Sequence, residues 1–415
     1  MGPSLFKSGL PFDDELQHVP SPKPTSSDKA RFGTLASLYT SFSVEFGEAA
    51  LDICLRAGAR KIADPFGGMG TLAEAARSRS IELTLSDLSP FSVLSCSYRA
   101  APRELIEVGS KNLEEVIAEV VGRDETEVYA DLLRRLSNRN NVTMRSLIEN
   151  PSNTSSQAAA IALYLASVSR IRLHRPLVGS NPTWVKRSGQ PASASAVKEA
   201  MNSTIAASRN FSRSLSNLNS SNRTSAIWSG IENLSIAENS LDAIVTSPPY
   251  ANRTDYIRHY LPASELLLSA LGADERSIRA KQIGTPLIRL IEPNGTYPKS
   301  VVDVLNRIRA HPSKASASYY YKGFLYYFSD MTAALERMGR WIRKDGILMM
   351  VVQDSAYKEI HVPTTDLLID IAASLGLRLV GRRGWRVQRR LSKLSPHTQN
   401  GRVSRISESV IILSK

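Results

Sequence analysis

Six apolar residues, Ile347 to Val352, follow one another without a polar break between Lys344-Asp345-Gly346 and Gln353. A short continuous run with polar flanks predicts a strand covered on both faces, as at the centre of a parallel sheet. The amphipathic spacing of Tyr326–Trp341 predicts a helix before it. Thr364–Gly376 predicts a helix after it, closed by glycine. Two final strand-like runs follow at Leu377–Gly381 and Ser409–Leu413. Upstream, brief apolar runs lead up to Asp64 and occupy Ile81–Ser86 and Leu241–Thr246, with a helical pattern over Thr71–Arg77. This alternation from about residue 60 to the end predicts an α/β fold.

Other stretches break the alternation. From Ala101 to about Arg223 the pattern is helical, as in Leu113–Val121, Ala130–Leu136 and Ala158–Val168. That is too long for a connection in a compact domain, so residues 101–225 are read as a helical insertion. Ile283 to Tyr321 carries Pro286, Pro293, Pro298 and Pro312 and reads as irregular, a second insertion (283–321) and a candidate target-recognition region. Residues 1–28 are polar and proline-bearing and are expected to form a flexible arm. The main domain is then 29–100 together with 226–415.

Two of these strands end in residues that carry chemistry. Leu241–Thr246 stops at Ser247-Pro248-Pro249-Tyr250. Each proline fixes φ near −65° and lacks an N–H, so the turn is rigid. It presents the Pro248 carbonyl, the Ser247 hydroxyl and the Tyr250 ring, a set suited to gripping a flat ring that bears an amino group; an ordinary tight bend is the alternative. The first strand ends at Asp64-Pro65-Phe66, after which Gly68 and Gly70 open the helix at Thr71. Glycines between a strand and a helix let the backbone approach a ligand closely. A plain strand-to-helix connection is the other reading. The second strand ends at Asp87, at a spacing that suits a bond to ribose hydroxyls.

Together, Asp64-Pro65-Phe66-x-Gly68-x-Gly70-Thr71 and Thr246-Ser247-Pro248-Pro249-Tyr250 resemble the motifs of S-adenosylmethionine-dependent methyltransferases that modify exocyclic amino groups of DNA bases. The serine at 247 is most like the cytosine-N4 enzymes. The resemblance implies a Rossmann-like class I methyltransferase sheet, mostly parallel with an antiparallel last strand, and makes 29–100 with 226–415 the catalytic domain. It implies S-adenosyl-L-methionine as cofactor, held by Asp64, Pro65, Phe66, Gly68, Gly70, Thr71 and Asp87. It implies catalysis by Ser247, Pro248, Pro249 and Tyr250 on a base flipped out of double-stranded DNA. A cognate restriction endonuclease is a candidate partner. One departure stands out: Ile227–Asn233 lacks the family's acidic residue near the cofactor adenine, leaving Glu232 or Trp228 as substitutes.

Composition fits a DNA-facing enzyme. Lys+Arg 52 against Asp+Glu 39 gives a net charge of +13, which favours a polyanionic partner. Arg382, Arg383, Arg386, Arg389, Arg390 and Lys393 cluster near the end with no carboxylate among them and read as a DNA-contacting surface, or else as a solvated face. Trp184, beside Lys186 and Arg187, is a second candidate contact, or else a buried residue at a helix-loop junction. The segment Arg31–Phe42 is a candidate cover for the cofactor, or a packing helix. Asp255, Tyr256 and His259 are candidate base-pocket residues or helix-start caps. Gln353, Asp354 and Ser355 sit where a central strand ends, so Asp354 is a candidate for the site.

Several classes are excluded. Cys54 and Cys96 are the two cysteines, and neither follows a proline, so methylation at cytosine carbon 5 through a Pro-Cys thiolate is ruled out. The six histidines show no ligand spacing, and no metal is expected. No export signal and no run of 18 apolar residues occurs, so a cytoplasmic enzyme is expected. Adenine-N6 methylation of DNA, methylation of an RNA base and a catalytically silent DNA-binding subunit remain alternatives.

Overall fold

The strands β1 (Lys61–Asp64), β2 (Glu82–Asp87), β3 (Arg223–Trp228), β4 (Leu241–Thr246), β5 (Ile342–Gln353), β6 (Arg378–Arg386) and β7 (Ser407–Ser414) form one sheet in the order β3-β2-β1-β4-β5-β7-β6. The computed structural model describes residues 10–32, 35, 41–152, 156–176, 184–185, 191–251, 254–287, 289, 293, 295–387 and 406–415, with the backbone alone at 175–176 and 184–185. Neighbouring strands from β3 to β5 are parallel, and β7 enters antiparallel between β5 and β6. This is the Rossmann-like methyltransferase sheet.

Alternation along β5 explains why its Ile347–Val352 segment is continuously apolar. Ile347, Met349 and Val351 pack into the core on one face. Leu348, Met350 and Val352 pack into the core on the other. With period two, a strand covered on both faces has no position left for a polar residue. Val44–Arg56 and Thr71–Ala75 cover the first face, and Tyr321–Trp341 and Thr364–Ser374 cover the second.

Between β2 and β3 the chain is mainly helical. Arg103–Glu119, Glu125–Asn140, Gln157–Leu173 and Ala194–Ser214 share one core with the helix Pro90–Ala100 and with Leu261–Leu271. Residues 158–169 of Gln157–Leu173 are alanine, serine, tyrosine or larger apolar side chains, and all but Ala158 are buried, which marks this helix as the centre of that layer.

Two expectations need correction. From residue 10 onward the N-terminal stretch is packed and is no loose arm. The Phe12 N–H donates to the Val380 carbonyl at 2.9 Å, Asp13–Gln17 is helical, and Leu16 is fully buried. Covering β6 protects an edge strand that would otherwise expose unpaired backbone groups. The stretch 283–321 also holds regular structure. Lys299–Ala310 is an α-helix that buries Val301, Val304, Leu305 and Ile308, a spacing of three, one and three residues that fits one helical face. Ser316–Tyr320 forms a π-helical turn leading straight into Tyr321–Trp341. The prolines lie outside the Lys299–Ala310 helix, with Pro298 as its N-cap.

Candidate active site

β1, β2, β3 and β4 point their carboxyl ends into one cleft of about 780 Å³. This is where open α/β sheets place their ligands. The glycine turn after β1 supplies Pro65, Phe66 and Gly68 to its wall. The turn is shaped by its glycines: Gly68 and Gly70 have φ of +51° and +75°. A Cβ on Gly70 would lie 2.7 Å from the Cα of Cys96, so that glycine serves close packing against the helix Pro90–Ala100 and is absent from the cleft lining. Thr71 is also away from the cleft. It is buried, and its hydroxyl accepts from Arg99 at 3.0 Å, inside the ion pair of Arg99 with Glu74 (2.6 Å).

Asp87 closes the turn from the neighbouring strand. One carboxylate oxygen accepts the Gly68 N–H at 2.9 Å and the other the Ser89 N–H at 2.8 Å. Burial pushes its pKa up to about 6. Each oxygen keeps a further lone pair, and the residue lines the cleft, so it can accept from a ligand hydroxyl. Asp64 behaves differently. It is 2% exposed, is not on the cleft wall, and accepts from the Thr246 hydroxyl at 2.6 Å and the Phe66 N–H at 3.1 Å. Burial pushes it up to about 7.

Opposite the glycine turn, Ser247 and Pro249 line the cleft where β4 ends. Pro248 is buried behind them. The turn is fixed from several sides. The Tyr250 N–H donates to the Tyr256 hydroxyl at 3.0 Å, and Ser355 donates its hydroxyl to the Ala251 carbonyl at 2.7 Å. The Tyr250 hydroxyl donates to Glu408 Oε1 on β7 at 3.0 Å. A half-buried ring held at its tip in this way is a rigid platform.

Several lining residues escaped the sequence reading. Leu88, Ser89 and Ser92 follow Asp87, while Gly230 and Ile231 follow β3; the rule that ligands sit at strand ends would have found them. Lys281, Gln282 and Ile283 come from the end of the helix Glu275–Lys281 and the turn after it, with no such signal. Gln282 clamps the stretch after the Ser247–Tyr250 turn, donating to the Thr254 carbonyl at 2.8 Å and accepting the Ile257 N–H at 3.3 Å.

Of the weaker candidates, Tyr256 and Glu232 reach the cleft. Trp228 instead donates its indole N–H to the Leu88 carbonyl at 3.0 Å. Asp255 caps the helix Tyr256–His259 and pairs with Arg279 at 2.7 Å. His259 is buried, which lowers its pKa to about 4. Asp354 is buried too, accepting from the Ser407 hydroxyl at 2.7 Å and the Thr365 N–H at 3.1 Å. In the Arg31–Phe42 segment, Arg31 pairs with Glu74 and Phe32 lies under the Arg99 guanidinium at 4.4 Å; residues 33–34 and 36–40 lie outside the described residues.

The basic cluster divides. Arg383 is 7% exposed and points its guanidinium at the carbonyls of Leu16, Gln17 and Val19. Arg382 pairs with Asp366 at 2.6 Å, while Arg386 is exposed. Arg389, Arg390 and Lys393 lie outside the described residues, as do the side chains of Trp184, Lys186 and Arg187. Among the described residues no group of three metal-ligating side chains comes together, and no helix is long and apolar enough to cross a membrane.

Strand order and cleft position thus define a Rossmann-like methyltransferase fold. Over 44 residues, 11% of this chain, the sequence is 52% identical to the Type II methyltransferase M.BsoBI of Geobacillus stearothermophilus. The matched stretch spans 8% of that protein's length. No protein-family model matches the chain.

Proposed function

We propose that this protein is a DNA methyltransferase that uses S-adenosyl-L-methionine to methylate an exocyclic amine, the N4 amine of cytosine. The observation that carries the reading is the one cleft shared by the glycine turn, Asp87 and, from the end of β4, Ser247 and Pro249. Its wall fits a nucleoside-bearing cofactor: Asp87 offers acceptors for ribose hydroxyls, Gly68 opens the backbone, and Phe66, Ile231 and Ile257 offer apolar faces for a flat ring. When bound, that cofactor supplies an electrophilic methyl group.

The chain's own residues then do the positioning. An aromatic amine is a weak nucleophile because its lone pair is delocalised into the ring. The Ser247 hydroxyl and the Pro248 carbonyl accept its two hydrogens, draw the nitrogen towards tetrahedral geometry and aim its lone pair into the cleft. Tyr250 supplies a stacking face, worth roughly 1–3 kcal/mol per base. That offsets part of the few kcal/mol needed to flip the base. Serine at 247 and the similarity to a Type II methyltransferase support this reading and a place in a restriction-modification system.

The experiment is transfer of labelled methyl to double-stranded DNA, followed by nucleoside digestion and mass spectrometry. N4-methylcytosine is the expected product. N6-methyladenine would move the assignment to adenine, and label in RNA alone would overturn it. Ser247→Ala should lower transfer by at least roughly 10²-fold while cofactor affinity stays within about two-fold, since a positioning contact is lost and the glycine turn is untouched.

A further inference from the structure

Methylation of an amine leaves one proton to be disposed of. As the exocyclic nitrogen forms its bond to the methyl carbon, the bond from that carbon to sulfur breaks and the nitrogen becomes cationic. It regains neutrality by releasing one of its two hydrogens as a proton. None of the cleft residues argued above has been given that task.

The structure holds a path for it. The Tyr250 hydroxyl lies between two groups: the Ser247 side chain beside it, and Glu408 Oε1, to which it donates at 3.0 Å. Ser247 Oγ is otherwise 3.5 Å from the Val351 carbonyl, too long to commit its proton there. Glu408 sits on β7 between Gln353 of β5 and Trp385 of β6, both uncharged, and is 6% exposed. Its second oxygen, Oε2, is buried and has no hydrogen-bond partner among the described residues. A buried carboxylate oxygen left unpaired is costly in a fold, and such groups call for an explanation.

We propose that Ser247, Tyr250 and Glu408 form a proton relay that drains the methylated amine into the Glu408 carboxylate. Ser247 Oγ takes the amine proton as it passes its own to Tyr250 Oη, and Tyr250 passes its proton to Glu408. One proton leaves the base and one arrives on the carboxylate, which becomes a neutral acid. Glu408 acts through Tyr250 and touches no substrate, so it is a positioning residue and proton store. The inference rests on the proposed amino-methyl transfer.

The charged and titratable surroundings are few. Tyr250 and the more distant ammonium of Lys23 act on Glu408, and Tyr256 acts on Tyr250. Burial raises the Glu408 pKa above the usual carboxylate range. A store must be ionised to accept, so the transfer rate falls as pH drops through that raised value.

The test is single-turnover transfer to DNA as a function of pH for the full chain, Glu408→Gln and Tyr250→Phe, beside cofactor affinity, DNA affinity and the fluorescence of a flipped 2-aminopurine. Both variants should lose roughly 10²-fold in rate, the scale of general acid–base assistance, and should lose the acidic limb. Cofactor and DNA affinity and the flipping signal should be retained. pH-difference infrared spectra should show a protonated carboxyl band that Glu408→Gln removes. Wild-type DNA labelled as expected with an unchanged acidic limb in Glu408→Gln would overturn the relay alone. Unlabelled wild-type DNA would overturn the amino-methyl reading itself. Tyr250→Phe interrupts the path with Glu408 intact, so a folding defect in one variant leaves the other to decide.

Discussion

Thr246 donates its hydroxyl to Asp64 Oδ1 at 2.6 Å, joining the ends of two adjacent strands that are 182 residues apart in sequence. Asp64 opens the glycine turn and Thr246 precedes the Ser-Pro-Pro-Tyr turn, so this bond sets the spacing between the two halves of the cleft. The same Asp64 oxygen accepts the Phe66 N–H, which starts the turn.

Thr246→Val keeps the shape and removes the donor. It should destabilise the fold by about 1–3 kcal/mol, the cost of leaving a buried polar group unsatisfied, and should weaken cofactor binding as the turn shifts. Asp64→Asn is the opposite case, because its carbonyl can still accept from both donors. Burial raises the Asp64 pKa to about 7, so the folded state holds its proton more tightly than the unfolded chain does. The resulting stability is complete below about pH 4 and is lost as pH rises through 7. Urea denaturation between pH 4 and 8 should show this fall in the wild type and a shallower one in Asp64→Asn. Equal slopes would remove the assignment.

The sheet was legible in the sequence because strand segments covered on both faces leave unbroken apolar runs, as at Ala243–Val245 in β4 and Ile347–Val352 in β5. The two strand ends were legible because prolines and glycines restrict or free the backbone whatever surrounds them. What stayed hidden depends on distant partners. Gly70 and Thr71 look like ligand contacts in the motif, yet their roles are set by Cys96 and Arg99, which only folding brings close. The helix Lys299–Ala310 was masked by the prolines around it, although the spacing of Val301, Val304, Leu305 and Ile308 was a readable sign. Glu408 carries no local signal at all, since its contact with Tyr250 spans 158 positions.

Asp87 is expected to control cofactor affinity. Asp87→Asn leaves one acceptor where two backbone N–H groups and a ribose need several, and its amide N–H groups face a donor. Hydrogen bonds to a charged group are worth about 1.5–3 kcal/mol, so the dissociation constant should rise roughly 10- to 100-fold by calorimetric titration. Because burial pushes Asp87 up to about 6, wild-type affinity should weaken as pH falls through that value, when the carboxylate gains a proton. Asp87→Asn should bind with little pH dependence over the same window. Unchanged affinity in this variant would place the ribose elsewhere.

Arg383 and Arg386 lie three positions apart on the edge strand β6, and the structure assigns them opposite fates. The Arg383 guanidinium reaches the Val19 carbonyl at 2.7 Å and the Leu16 carbonyl at 2.5 Å, binding the N-terminal stretch over the sheet edge. Arg383→Ala leaves those buried acceptors unpaired and should destabilise the protein by about 1–3 kcal/mol, read as a lower melting temperature. Arg386 is exposed, so Arg386→Ala should leave melting unchanged. If Arg386 meets a phosphate, its loss should weaken DNA binding across sequences and lower the slope of log affinity against log salt by about 1. The pairing of the two measurements decides the matter. A lowered DNA affinity with normal melting in Arg383→Ala would show that the inward guanidinium is released to the DNA, and would return it to the contact surface.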